Sequence, residues 1–321
     1  MADSHPEIAS EAIGYQSLTS SIHKTLCVLA VHYNNADEVR RYVDHVLGLP
    51  LPEGWRVVVS VTDNSLNWPT GIDMDERCFI WTPEANLGYL NGCAYGLACW
   101  RSTDGDDPDW VAVTNTDIAF DQDALLQLLT TAWDETVGSV APQIRTPIHQ
   151  DQNPFMRSRP SLARLRLLRI AFTDAWWRRA VLRVLRSSTY LRWSRLKSRR
   201  GFEPAAREEA LSAQRSTARL TGIYAPHGSV MFFPPSFFNT GCSLTMPWMM
   251  YGEEIHIAEQ IRRAELEVLW APEIRVEHRM ASTTGASTPD QRMDWRATSL
   301  DQLIDLYFNE PVAEPSGHQN S

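Results

Sequence analysis

Between residues 25 and 144, runs of β-branched and aliphatic residues alternate with stretches of helical character. TLCVLAVHY predicts a buried strand and DEVRRYVDHVLGL a helix; WRVVVSVT predicts a second strand. CFIWT predicts a third, followed by a small-residue helix over 88–100. WVAVT predicts a fourth, followed by DQDALLQLLTTAW as a helix with Asp121 at its N-cap. Such alternation implies βαβ units, hence an α/β fold with a mostly parallel sheet flanked by helices. The pattern breaks near Pro147, and residues 155–220 hold basic helical stretches without strand signals. Strand character resumes at GSVMFFPP. A helix follows over YGEEIHIAEQIRRA, then LEVLWAP and EIRVEH as two short strands, and a C-terminal helix before residue 310. The basic segment therefore reads as an insertion within one α/β unit. No internal repeat is present.

Polar clusters fall where the strands end. Asn34 and Asn35 follow the first strand, Asp63-Asn64-Ser65 the second, and Asn115-Thr116-Asp117 the fourth. Parallel strands deliver their carboxyl ends to one edge of a sheet, where open α/β folds bind ligands, so the clusters should share a crevice. Each also reads as turn chemistry, since Asn and Asp favour Asx turns. Asp117 offers short, hard oxygen suited to Mg²⁺ or Mn²⁺. Gly88, Gly92 and Gly96 share a helix face and permit close packing. No G-x-G-x-x-G follows the first strand, which argues against a dinucleotide-binding dehydrogenase, and no glycine-rich cradle offers itself to a triphosphate. In the second half, WMMY precedes Glu253 and Glu254 at a helix start. The pair either complements the helix dipole or, desolvated by its apolar neighbours, reaches a general-base pKa. His278 closes the last strand between Arg275 and Arg279.

The 321 residues can bury a substantial core, and 43% apolar with 21% charged residues is ordinary for a globular protein. Five cysteines without a C-x-x-C suggest neither a disulfide framework nor a zinc cage, and a reducing cytoplasm fits. The acidic, polar start lacks a signal peptide's apolar core, and no run of about eighteen apolar residues would span a bilayer. Charge is distributed unevenly. Residues 155–220 hold 17 Arg and Lys against 4 Asp and Glu, a net of +13, so the rest carries −22 of the total −9. Within 160–200, Arg179, Arg183 and Arg186 share a helix face, with Trp177, Val181, Val184 and Leu185 largely opposite. Such a helix lies on an anionic membrane surface, or packs as a lid or oligomer contact. The acidic body argues against nucleic acid. Residues 1–22 and 311–321 read as flexible ends.

Taken in order, these pieces resemble glycosyltransferase family 2, most closely its rhamnosyltransferase-like members, over about residues 26–282. Tyr33-Asn34 matches the Y-N after the first strand, Asp63-Asn64-Ser65 the D-N-x-S, and Asn86 with Gly88 the N-x-G. Asn115 and Asp117 match the metal-binding D-x-D position, often N-x-D in the rhamnosyl branch. Residues 228–234 match G-x-x-x-F-x-x, residues 251–254 the Y-G-E-D helix start, and His278 the closing histidine. Two departures stand out: Glu254 replaces the usual Asp, and Gly241-Cys242-Ser243-Leu244 replaces Gly-Gly-Phe-Asp on the acceptor side.

The resemblance implies a GT-A-type, Rossmann-like fold with a nucleotide-sugar-binding half over 23–150. The basic insertion then covers 151–222 and an acceptor half 223–310. It implies an inverting hexosyltransferase that moves a sugar from a nucleotide diphosphate, dTDP-rhamnose-like or a UDP-sugar, to a glycan or lipid-linked acceptor in cell-surface polysaccharide synthesis. Asp117 and His278 are implied to hold a divalent metal, Mg²⁺ or Mn²⁺. Tyr33, Asn34, Asp63, Asn64, Asn86, Gly88 and Asn115 would bind the donor, with Asp63 on the nucleobase. Glu254 would be the base, assisted by Glu253. A cytoplasmic protein, peripheral on the membrane's cytoplasmic face, follows, with room for an oligomer. The other class compatible with the variant motifs is a non-catalytic sugar-nucleotide-binding or membrane-associated adaptor.

Overall fold

A computed structural model describes residues 24–104, 107–148, 151–173, 221–279 and 288–309. The predicted flexible ends, Arg179, Arg183, Arg186 and most of the basic segment lie outside these residues. Strands β1 (Lys24–His32), β2 (Trp55–Asp63), β3 (Cys78–Trp81) and β4 (Trp110–Thr114) run parallel in the order β3-β2-β1-β4. Helix α1 (Ala36–Leu47) links β1 to β2, and α2 (Tyr89–Asp104) links β3 to β4. β1 is buried on both faces, as its unbroken apolar run requires. Leu26 and Val28 pack with α1's Val39 and Val43, while Cys27 and Leu29 pack with α2's Leu90 and Cys93. Gly92 and Gly96 do allow close packing. Thr62 and Ser60 of β2 donate hydrogen bonds to their carbonyls at 2.7 and 2.9 Å, and a methyl on Gly96 would lie 2.9 Å from Thr62 Oγ1.

The sheet continues beyond β4 with mixed direction. β8 (Val230–Phe233) lies antiparallel between β4 and β6 (Val137–Arg145), and β6 pairs parallel with β9 (Glu267–His278). β5 (Ile118–Phe120) and β7 (Thr221–Ile223) both pair antiparallel with β9. Three local readings need correction. LEVLWAP and EIRVEH form one strand, β9, whose break is only a register shift opposite Pro142 and Gln143. The helix does not follow WVAVT directly, because the chain turns after Thr114 and a further strand, β5, leaves β4 for β9. The next helix, α3 (Ala124–Thr130), starts after Asp123 rather than Asp121, and Asp123 makes no side-chain cap.

Helices α4 (Leu162–Thr173), α5 (Pro235–Asn239), α6 (Glu253–Arg263) and α7 (Pro289–Leu303, ending in a π-helical turn over Ile304–Phe308) complete the described fold. α6 is tied in place through Glu259, whose carboxylate is fully buried. It accepts hydrogen bonds from Arg159 Nε (2.6 Å), Tyr224 Oη (2.6 Å) and Arg262 Nε (3.0 Å). Burial opposes its charge, but those donors outweigh the burial and hold its pKa below the usual carboxylate range. Arg159 also donates to Tyr307 O at 2.7 Å, so one charge cluster joins α6 to the segments before α4 and after α7.

Candidate functional site

In-register pairing of β1 with β2 brings His32 beside Asp63. His32 Nδ1 donates to Asp63 Oδ1 at 2.6 Å, and its Nε2 accepts the backbone N–H of Asn35 at 3.2 Å. Asp63 also accepts the backbone N–H groups of Ser65 (3.0 Å) and Asn67 (2.9 Å). Fully buried and engaged on both oxygens, Asp63 shapes the turn after β2 and is not in the wall of the cavity that Asn64 lines. Its neighbour Asn64 has the more direct position. Asn64 Nδ2 donates to Gly88 O at 2.7 Å and Oδ1 accepts the N–H of Leu87 at 3.1 Å, so it anchors the loop ahead of α2. In that loop Asn86 Oδ1 accepts the N–H of Gly88 at 2.9 Å. Gly88 has φ +79°, and a Cβ there would fall 1.8 Å from Met249 O. Only glycine permits this contact between the two halves of the fold.

A cavity of about 220 Å³ opens at this edge. Tyr33, Asn64, Asn86, Gly88, Asn115 and Asp117 line it, so six of the expected residues converge. Asn34 is not among them. With φ +55° it turns toward a separate hollow beside Asp37 and Arg41, and its N–H meets Ser65 Oγ at 2.6 Å. Asn35 instead faces Thr116, donating to Thr116 Oγ1 at 2.9 Å and to Glu38 Oε1 at 2.7 Å. The Thr116 hydroxyl donates to Glu38 as well (2.6 Å), locking the tripeptide to the start of α1. Met249, Met250, Gln291 and Trp295 line the cavity too, none of which the motifs indicated. The sole hint for Trp295 is one aromatic in the polar stretch DQRMDWRAT.

Asp117 and His278 meet because Ile118 of β5 sits opposite His278 of β9. His278 Nε2 lies 3.2 Å from Asp117 Oδ2, and both side chains are nearly buried. His278 Nδ1 is 2.7 Å from Gln152 Oε1, an acceptor, so Nδ1 carries the hydrogen and Nε2 is left facing the carboxylate. Two electron-rich atoms that close need a cation between them, and an N/O pair with a second-shell amide suits a divalent ion as well as a proton. Among the described residues no cluster of three or more His, Cys, Asp or Glu forms a complete cage. Mg²⁺ and Mn²⁺ do not require one when phosphate oxygens and water fill the remaining positions. Beside this pair, His227 has its pKa pushed down to about 4, by burial and by His278, and remains a neutral imidazole.

Glu253 and Glu254 open α6 just beyond the cavity and do not line it. Tyr251 (φ +71°) and Gly252 (φ +80°) both adopt left-handed backbone, which aims the start of α6 inward. Glu254 Oε1 accepts the N–H of Gly228 at 3.3 Å. Tyr89, in the cavity wall, donates to Gly228 O at 3.0 Å and so connects the two places. Glu253 Oε1 accepts the N–H of Tyr251 at 2.8 Å. Burial, and then the adjacent Glu254, push Glu253 up to about 8; burial also raises Glu254. Glu253 therefore holds its proton at neutral pH.

A raised carboxyl pKa means that the folded state holds a proton the unfolded state releases. Its contribution is complete in acid and is lost as pH rises from about 4.5 through about 8. Glu253→Gln should therefore flatten the decline of melting temperature across that window, stabilising most above pH 8. Parallel melting curves for variant and wild type would count against a buried, protonated Glu253.

No family model matches the chain, and no curated protein matches it. Among solved structures it overlays on the crystal structure of GalNAc-T7 with UDP, GalNAc and Mn²⁺ at a TM-score of 0.49 and 11% identity. That overlay covers 91% of this chain and 49% of the other, so this chain spans about half the length of GalNAc-T7. It also overlays on the mannosyltransferase PcManGT from Pyrobaculum calidifontis in complex with GDP-Man and Mn²⁺, at 0.41 and 12%, covering 88% of this chain and 74% of that one. With TM-scores below 0.5, neither overlay bears on function, which has to be read from the site.

Proposed function

We propose that the protein is a metal-dependent glycosyltransferase that moves a sugar from a nucleoside diphosphate to a hydroxyl acceptor with inversion. The observation that carries this reading is the convergence, on one cavity, of Asn64, Asn86, Asn115 and Asp117, with His278 just behind at 3.2 Å from Asp117 and two carboxyls of raised pKa nearby. Neutral amides suit a ligand rich in hydroxyls and carbonyls, and Tyr33 adds an aromatic ring at the same edge. Asp117 and His278 would hold the divalent ion, which when bound neutralises charge on the diphosphate leaving group. Gln152 fixes the ring of His278, and the Asn35–Thr116–Glu38 network fixes the backbone that bears Asp117. Asp63, being buried, acts on the donor only through the turn that carries Asn64. Glu254 takes the proton from the acceptor hydroxyl, and Glu253 stays protonated beside it.

The assay is release of nucleoside diphosphate from UDP-, dTDP- and GDP-sugars with Mg²⁺ or Mn²⁺. Slow release from at least one donor, dependent on the metal, is expected. A complete panel with neither release nor thermal stabilisation by any donor contradicts the reading, because a bound ligand must stabilise by mass action.

An anionic membrane surface is the partner proposed for the basic segment, which would suit a lipid-linked acceptor. α4, its described part, presents Leu167 (67% exposed) and Ile170 to solvent among Arg164, Arg166 and Arg169. Among the described residues no helix is long and apolar enough to cross a membrane. The protein should float with vesicles containing phosphatidylserine and lose that association in high salt. Equal flotation with neutral vesicles would rule out the electrostatic component.

A further inference from the structure

Met249, Met250, Gln291 and Trp295 give the cavity a chemistry that its asparagines do not explain. Gln291 and Trp295 stand one turn apart on one face of α7, and both reach the cavity. Met293, Ala297 and Leu300 on the other faces are buried in the core, so α7 is anchored independently of any ligand. Its first turn is capped by Thr288, which accepts the N–H of Gln291 at 3.2 Å. The Arg296 guanidinium lies 4.6 Å from the ring centroid of Tyr251, so the same helix braces the left-handed turn ahead of Glu253 and Glu254. Met249 and Met250 extend the indole into an apolar wall. The amides of Asn86 and Asn115 line the same cavity.

From this arrangement we infer that Trp295 and Gln291 form a saccharide subsite, with a pyranose ring lying on the indole and Gln291 bonding a hydroxyl at its rim. A pyranose has one face of C–H groups and an edge of hydroxyls, which matches an aromatic plane flanked by side-chain amides. The inference rests on the glycosyltransferase reading for which ring is bound, that of the acceptor or that of the donor sugar. The chemistry of the wall is the same for either.

Saturation-transfer NMR on the full chain, with UDP, dTDP or GDP and Mg²⁺ present, tests it. The probes are methyl pyranosides of gluco, galacto, manno and rhamno configuration, alongside the matching nucleotide-sugars. In the wild type, ring C–H signals should appear for at least one pyranoside, which identifies an acceptor site, or for the sugar of a nucleotide-sugar, which identifies a donor site. Trp295→Ala should remove those signals or weaken binding about 3- to 10-fold, the weight of one stacking contact. Trp295→Phe should restore most of it, and binding of the plain nucleoside diphosphate should be the same in all three proteins. Sugar signals unchanged in Trp295→Ala, or absent from a wild type that binds nucleotide, overturn the subsite. Equal loss of plain nucleotide binding in Trp295→Ala also overturns it, since the indole would then be stacking a base. A protein that binds sugars through Trp295 but no nucleotide keeps the subsite and refutes the donor reading instead.

Discussion

Glu254→Gln is expected to lower sugar transfer on the order of 10²–10⁴-fold, the usual weight of a positioned general base. The affinity for nucleoside diphosphate should stay within about twofold, because the carboxylate touches Gly228 rather than the amides that line the donor side. The amide keeps the shape and can still meet the Gly228 N–H through its oxygen, so the loss isolates proton transfer. The pairing with Glu253 adds a second signature. With Glu253 protonated and the pKa of Glu254 raised by burial, transfer by the wild type should rise with pH as Glu254 ionises, and the residual rate of Glu254→Gln should lack that rise. Full turnover in the variant would remove Glu254 from the mechanism.

Glu259→Ala is expected to cost about 3 kcal/mol of stability, the lower end of the roughly 3–5 kcal/mol seen when one partner of a buried ion pair is removed. The lower end applies because Arg159 and Arg262 remain partly solvated and are not stranded in the core. Tyr224 Oη, by contrast, loses the acceptor it meets at 2.6 Å. The pH dependence opposes that of Glu253. A depressed carboxylate pKa stabilises above the unfolded value, and the gain is lost as pH falls through the folded one. Denaturant unfolding should therefore show the variant's deficit at pH 7 shrinking toward pH 3. A deficit below about 1 kcal/mol at pH 7 would mean that the cluster is no stronger than a surface pair.

How much of this was legible depended on whether the signal was local. β1, β2 and β4 announce themselves by Val-rich runs, since burial on both faces removes the polar alternation, whereas the half-buried β3 shows itself through Phe, Ile and Trp. Gly92 and Gly96 could be read as packing residues from their spacing alone. The pairing of β5 with β9 could not, because IAF is too short to carry a period and its partner lies far along the chain. That pairing is nevertheless what sets His278 beside Asp117. Asp63 shows the reverse: the side chain suits a ligand contact, but its burial beside His32 is a tertiary fact that no motif states. Trp295 was unreadable for the same reason, since whether a helical aromatic faces core, solvent or cavity depends on where its helix docks.

The central claim is that the Asp117–His278 edge holds a divalent ion on a nucleoside diphosphate. Electron paramagnetic resonance of Mn²⁺, titrated with protein in the presence of UDP, dTDP or GDP, measures it directly. The free-ion signal should fall with wild-type protein and at least one nucleotide, and the ternary affinity should be at least roughly tenfold weaker in Asp117→Ala, which lacks one of two protein ligands. Mn²⁺ taken up equally by Asp117→Ala, or by the wild type with no nucleotide at all, would contradict the account.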